Sequence, residues 1–475
     1  MVFNSIEFAI FVVILWPLYW AARHRLRVQN LLLLGASYLF YGWWDWRFLF
    51  LLGGTTLVDF WAVRHIGRAV SPVARQRWMI FSVAVNLVVL GFFKYFEFFV
   101  DSGVDVANQL GLEWTAPALH FVLPVGISFY VFHEISYAID VYRGRVEPEN
   151  DLIVYALYIA FFAQLVAGPI TRAGHMLPQF RRARVFPDAE ARYSGFVLIL
   201  TGLFKKVVLA DGISPWVNEV FDAPQDRGLL PALVAMFGFA VQIYGDFAGY
   251  TDIARGVARL FGIEIARNFE QPYLSRNITE FWRTWHISLS SWLHDYLYVP
   301  LGGNRSGRFG TYRNLIIVML LGGLWHGASW NFVVWGGLHG VALAVHRALS
   351  PSTDRQRQGV PALRAVPAVA ANFVLVTVLW VFFRANSLDA ALDFFGGMTS
   401  GLTGSAAGAW KPPAMILSFA LVAMFAMDVV DRSRMPRSPL RRIPMAVQGV
   451  LAGLAIVAIV VFSGQDPEPF IYFQF

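Results

Sequence analysis

The 475-residue chain reads as an all-α protein that crosses a membrane many times. Three observations carry that reading. Hydrophobic residues make up 57% of the chain and charged residues 15%, with mean hydropathy +0.53, whereas soluble domains carry about 25% charged residues. Several stretches reach the roughly 20 residues that a helix needs to cross a hydrocarbon core. Those stretches lack the period-two alternation of barrel strands. Backbone polar groups in lipid must bond within the segment or close into a barrel, so helices are left. The expectation is one membrane domain over residues 1–475, with core motifs in 117–385 and about 11–12 spans.

Taken in order, the expected spans cover 5–22, 30–44, 47–63, 78–100, 117–139, 194–212, 229–252, 312–326, 329–348, 366–384, 414–430 and 445–463. The opening Met1–Phe8 lacks the basic stretch of a signal peptide, so the first span is expected to be retained. Loop charge sets the orientation. Arg23–Arg27, Arg64–Arg77, Thr171–Arg192, Arg255–Arg313, His346–Arg364 and Asp431–Arg442 are basic. Asp101–Ala116, Phe221–Gly228 and Asn386–Pro413 are not. With basic loops in the cytoplasm, the N-terminus lies outside.

Two stretches break the pattern. Residues 151–170 resemble a span, but a crossing there would put Arg172, Arg181, Arg182 and Arg184 on the wrong side. With Gly168-Pro169 ending the helix, the segment is expected to enter the membrane and return. Irregular backbone at that depth must be surrounded by protein or a water-filled cavity. Residues 264–313 interleave Arg, Asn, Glu, Trp and Tyr. They predict one or two amphipathic helices packed under the central cavity on the cytoplasmic side.

The chain has no cysteine, which excludes disulfides, a thiol nucleophile and thiolate metal sites. The net charge of +7 follows from basic loops beside apolar runs and does not imply nucleic acid.

His326 lies in an almost uncharged stretch, Asn314–Gly340. An ionisable group there is costly and marks function. An imidazole also exchanges protons near neutral pH. Trp325, Trp330 and Asn331 flank it, and Gly323 and Gly327 allow close approach. His286 ends the aromatic-basic segment that holds Arg283. His294 follows eight residues later, roughly on the same helical face as His286, and His339 and His346 are spaced to share a face. Gln242, Tyr244 and Asp246 stand near a span end, with Asp246 expected deeper than Asp252. Tyr130 lies in a polar run, Pro124–Arg143, that should face protein or a cavity rather than lipid. His133-Glu134 is not a zinc motif, because Tyr137 stands where the second histidine is required. No metal is expected.

Eight blocks together resemble the membrane-bound O-acyltransferase family, in its bacterial branch of alginate O-acetyltransferases and teichoic-acid D-alanyl transfer proteins. They are Asn30–Trp44, Leu123–Tyr130, Gln164–Ile170, Gln242–Asp252, Phe281–His286, Tyr296–Arg305, Gly323–Trp330 and Trp380–Ala385, in family order. The terminal Pro469–Phe475 also looks like that branch. The resemblance implies that His326 is the catalytic histidine and His286 the second polar position. It implies acyl transfer from a thioester donor to a hydroxyl, in the inner membrane of a bacterium. Acetyl-CoA is the implied donor, with no permanently bound cofactor, or a carrier protein if D-alanine is moved. An exported polysaccharide such as alginate is the implied acceptor, reached directly or through an extracytoplasmic acetyltransferase partner.

The chemistry follows from the residue types. An imidazole beside a hydroxyl removes its proton as the oxygen attacks the thioester carbonyl, and N–H donors near Gly327 would stabilise the oxyanion. A central tunnel would let donor and acceptor arrive from opposite faces. Basic side chains in 264–313 suit the donor phosphates. Intramembrane His and Asp with broken helices also fit a transporter or flippase, and a scaffold that only recruits an acetylation complex is a third reading.

Overall fold

The computed structural model describes residues 1–115, 121–166, 168–224, 228–305, 307–350, 363–399, 410–432, 444–464 and 469–471. Every regular element among them is a helix. In chain order these are α1 (Ile6–Ala21), α2 (Leu26–Gly42), α3 (Phe48–Arg68), α4 (Pro72–Leu90), α5 (Phe96–Gln109), α6 (Ile127–Tyr142), α7 (Leu152–Ala160), α8 (Phe162–Leu165), α9 (Ala173–Arg181) and α10 (Ala189–Leu203). Then come α11 (Gly212–Asp222), α12 (Leu229–Leu260), α13 (Ile278–Thr284), α14 (Ile287–Leu293), α15 (Gly307–His326), α16 (Trp330–Leu349), α17 (Val366–Arg384), α18 (Leu388–Gly397), α19 (Lys411–Arg432) and α20 (Met445–Phe462). π-Helical turns link α4 to α5 (Gly91–Tyr95) and α10 to α11 (Phe204–Asp211), and one follows α14 (His294–Tyr298).

The chain packs as two compact units. One holds residues 1–192 and 257–266, the other 193–256 and 267–475. In the first, Trp16 and Trp20 donate their indole N–H groups to the Leu260 carbonyl at 3.0 and 3.1 Å. Phe8, Phe11, Phe40 and Phe162 form an aromatic cluster. Helix α6 is buried almost all round, as its polar residues require. Asp59 accepts from the hydroxyls of Ser82 and Tyr155, and His133 Nε2 accepts the Thr171 N–H at 3.1 Å. Trp43, Trp44 and Trp46 are exposed between α2 and α3, the place of an interfacial aromatic belt.

Segment 151–170 does break, but earlier than its Gly-Pro pair. Helix α7 starts at the Asp151 cap and ends at Phe161, whose ψ of 118° leaves the helical region. The remaining turn of α8 is four residues long. Neither piece reaches the roughly 20 residues a crossing needs.

Among the described residues six helices are long and apolar enough to cross a bilayer: Pro72–Gln109, Leu229–Leu260, Trp330–Leu349, Leu363–Arg384, Lys411–Asp431 and Met445–Phe462. Ile6–Ala21 is apolar but shorter. Other expected spans are also helical, among them α2, α3, α10 and α15. Helix α20 is the opposite case, with none of its residues buried. The basic stretches within 351–362 and 433–443 lie outside the described residues, as do the last four positions of the Pro469–Phe475 block.

Candidate active site

The second unit builds its centre on a helical hairpin. Helices α15 and α16 pack closely because their contact rows are glycines. A Cβ on Gly323 would stand 2.1 Å from the Phe332 carbonyl oxygen, and one on Gly336 2.1 Å from that of Met319. Only glycine permits that approach. The chain reverses over 327–329, where the Ser329 hydroxyl caps α16 by accepting the Asn331 N–H at 3.3 Å. His326 is therefore the last residue of α15, not a residue in mid-helix. The negative end of the helix dipole lies beside it, a favourable place for an imidazolium.

The His326 ring is 4% exposed. Trp325, Trp335 and Phe383 surround it at centroid distances of 5.0, 5.1 and 5.3 Å. His286 completes the group, its ring centroid 6.3 Å from that of His326 and its plane inclined by 63°. The walls are themselves braced. Trp335 stacks on Trp380 at 5.5 Å, Trp380 Nε1 donates to the Tyr273 hydroxyl at 3.1 Å, and Tyr273 donates to the Ala240 carbonyl at 2.8 Å. Helix α16 is tied to α13 by the Trp282 indole, which bonds His339 Nδ1 at 3.2 Å, and by Thr279, which bonds His346 at 2.9 Å. The two histidines thus share one face of α16.

His286 is fully buried and has a left-handed backbone, φ 42°. Such a conformation in a non-glycine residue is strained and concentrates at functional sites. Its Nδ1 bonds Asn268 Oδ1 at 3.1 Å, and its Nε2 has no hydrogen-bond partner among the described residues. Burial lowers the imidazole to about 3, so the ring is neutral at pH 7.

The segment 264–313 holds the two short helices α13 and α14, with His286 between them. Phe281, Trp285 and Tyr273 are all within 1% of full burial, making this stretch part of the unit's core. Several of its polar residues serve turns and caps: Asn277 caps α13, and Arg276 pairs with Glu280 at 2.9 Å. His294 does not share a helix face with His286, since His286 precedes α14 as its cap and the His294 side chain is 60% exposed.

The other expected lining residues divide. Trp325 meets both imidazoles, with its ring 5.8 Å from His286. Asn331 is buried and donates to the Ala385 carbonyl at 2.5 Å, fixing the hairpin to the end of α17. Trp330 is 55% exposed. Arg283 is exposed on α13, available to solvent rather than turned into the core. Gln242 is buried on α12, its Oε1 without a partner among the described residues. Tyr244 donates to Asp428 at 2.8 Å. Asp246 is indeed deeper than Asp252. It pairs with Lys206 at 3.0 Å and accepts the Ile471 N–H at 2.7 Å. Tyr130 is fully buried in the other unit. A cavity of about 10 Å³ lies beside Lys205, Tyr244, Met424 and Asp428, room for about one water; His326 is not among its walls.

Sequence reasoning passed over Asn268, Phe383, Lys206 and Asp428. Lys206 carried a usable signal, because a lysine within an apolar span invites the same question as His326. Asn268 carried none, lying 18 positions before its partner.

A family model described as MBOAT, membrane-bound O-acyltransferase, matches residues 148–388. The probable alginate O-acetylase of Pseudomonas putida is 39% identical over 100% of both chains. The chain belongs to the membrane-bound O-acyltransferase family. It is also similar to the probable alginate O-acetylase of Azotobacter vinelandii, 44% identical over 84% of this chain and 78% of that one. The peptidoglycan O-acetyltransferase of Helicobacter pylori is 37% identical over 78% of this chain and 73% of its own. As a member of the membrane-bound O-acyltransferase family the protein is a multi-pass membrane enzyme of the acyltransferase class, and the two imidazoles lie in a helical core of the kind its sequence requires.

Proposed function

We propose that the protein moves an acetyl group from acetyl-CoA at the cytoplasmic face of a bacterial inner membrane to a hydroxyl of an exported or envelope polysaccharide, alginate being the leading candidate. The acceptor receives the group directly or through an extracytoplasmic partner. Relatives named as O-acetylases support acetyl as the group and a polymer as the acceptor. The observation that carries the site is the pair of buried imidazoles 6.3 Å apart within aromatic walls.

His326 takes the hydroxyl proton as the oxygen attacks the thioester carbonyl. The tetrahedral intermediate collapses, the C–S bond breaks, and the imidazolium returns the proton to the departing thiolate. An ester and a thiol result, with no net proton released. His286, neutral and with a free ring nitrogen, accepts a hydrogen bond from the hydroxyl or from the His326 imidazolium. Arg283, exposed at the edge of this core, is suited to donor phosphates. A tunnel leading to the ring pair is part of this reading.

The test is transfer of label from radiolabelled acetyl-CoA to added polymer in proteoliposomes. His326→Ala is expected to lower the rate by about 10²- to 10⁴-fold while leaving the melting temperature close to wild type. Full transfer by that well-folded variant removes His326 from the reaction. Transport of intact acceptor without any labelled ester favours the flippase reading.

A further inference from the structure

We propose that Asn268 is a positioning residue that fixes which nitrogen of His286 carries the proton. This rests on His286 having the role given above. Three groups converge on Asn268 Oδ1: the Ser288 backbone N–H at 3.2 Å, the Ser288 hydroxyl at 2.8 Å and His286 Nδ1 at 3.1 Å. A backbone N–H can only donate. The Asn268 atom facing it must therefore be the carbonyl oxygen, which removes the usual ambiguity of an amide's orientation. The same oxygen faces His286 Nδ1, and two acceptors do not bond each other. Nδ1 must carry the hydrogen, and the lone pair is left on Nε2.

The surroundings keep that arrangement. Asn268 is 1% exposed and His286 fully buried. The Asn268 backbone carbonyl accepts the Ile287 N–H at 2.9 Å, so main chain and side chain both hold the His286 turn. Phe247, at 4.7 Å in an edge-to-face contact, and Trp325 close on the ring. Neither titrates, nor does Phe269 at 6.5 Å. His326 is the titratable ring in contact. Nε2 is thus preserved as an acceptor next to the other imidazole. Reversing the tautomer would present an N–H there, and a hydroxyl or imidazolium between the rings would lose its acceptor.

Three variants and one spectrum test this. Asn268→Leu keeps the approximate size and removes the acceptor; its kcat is expected to fall at least about tenfold, with the donor KM little changed. Asn268→Asp keeps an acceptor and adds a negative charge. It should recover much of the rate, and the acid limb of its pH–rate profile should move to higher pH, since the imidazole now gains its proton earlier. Nitrogen–proton NMR correlations of [¹⁵N]histidine-labelled wild-type protein, with the His286 signal assigned by its loss in His286→Asn, should show the proton on Nδ1. A proton on Nε2 overturns the proposal, whether or not the Leu variant folds. So does wild-type turnover by Asn268→Leu, or an Asp variant as slow as Leu with an unmoved profile. His286→Asn separates this from the parent reading. If it transfers at the wild-type rate, the role of His286 itself fails; if it is inactive while Asn268→Leu is fully active, only the role of Asn268 fails.

Discussion

Two imidazoles in one core need not behave alike, and their backbones already differ. His326 ends a regular helix, whereas His286 occupies a left-handed turn. A neutral buried histidine links stability to pH. The unfolded chain binds a proton near 6.5, but folded His286 does so only near 3. Between those values the unfolded state holds more protons, so stability falls as pH falls, by up to about 1.4 kcal/mol per pH unit. The melting temperature in detergent is expected to drop from pH 7 to pH 5, and His286→Asn should flatten part of that fall. An unchanged decline in the variant would show that other groups govern it. His326 was legible in the sequence because a charge-capable residue in an apolar run is rare and local. The partner of His286 was not, because hydrogen bonds across a fold leave no mark on spacing. Trp330 was misleading for a related reason: adjacency along the chain at a helix cap says little about which way a side chain turns.

Helices in the second unit are joined by groups that composition hides. The π-turn Phe204–Asp211 buries Lys206 against Asp211 at 2.8 Å and Asp246 at 3.0 Å. A neighbouring pair, Lys205 with Asp252 at 2.8 Å, lies beside it. Breaking one member of a buried pair leaves an unmatched charge and costs about 3–5 kcal/mol. Lys206→Met is expected to lower the melting temperature and the monodisperse yield, and adding Asp246→Leu should restore part of the loss. A single variant that melts like wild type would deny the pair any structural weight. Hydropathy reported this stretch as a span, which it resembles in mean composition. It could not report that two lysines face inward, since that depends on the extra residue in the π-turn. The hairpin of α15 and α16 was easier to read, because Gly323 and Gly327 announced both close packing and a break.

At the scale of the whole chain, the orientation drawn from loop charge is directly testable because there is no cysteine to remove. Glu113→Cys is expected to react with a membrane-impermeant thiol reagent in intact cells, and Arg182→Cys only after permeabilisation; both positions are exposed. The reverse pattern would invert the topology. Membrane class and helical content were readable from composition, whereas the grouping into two units was not, since residues 257–266 return to the first unit from the far end of α12. The Ile471 amide on Asp246 ties together two points 225 positions apart within the second unit. Removing the segment from Pro469 onward would take that backbone donor away from a buried carboxylate, so a shortened protein is expected to mature poorly although both imidazoles are still encoded.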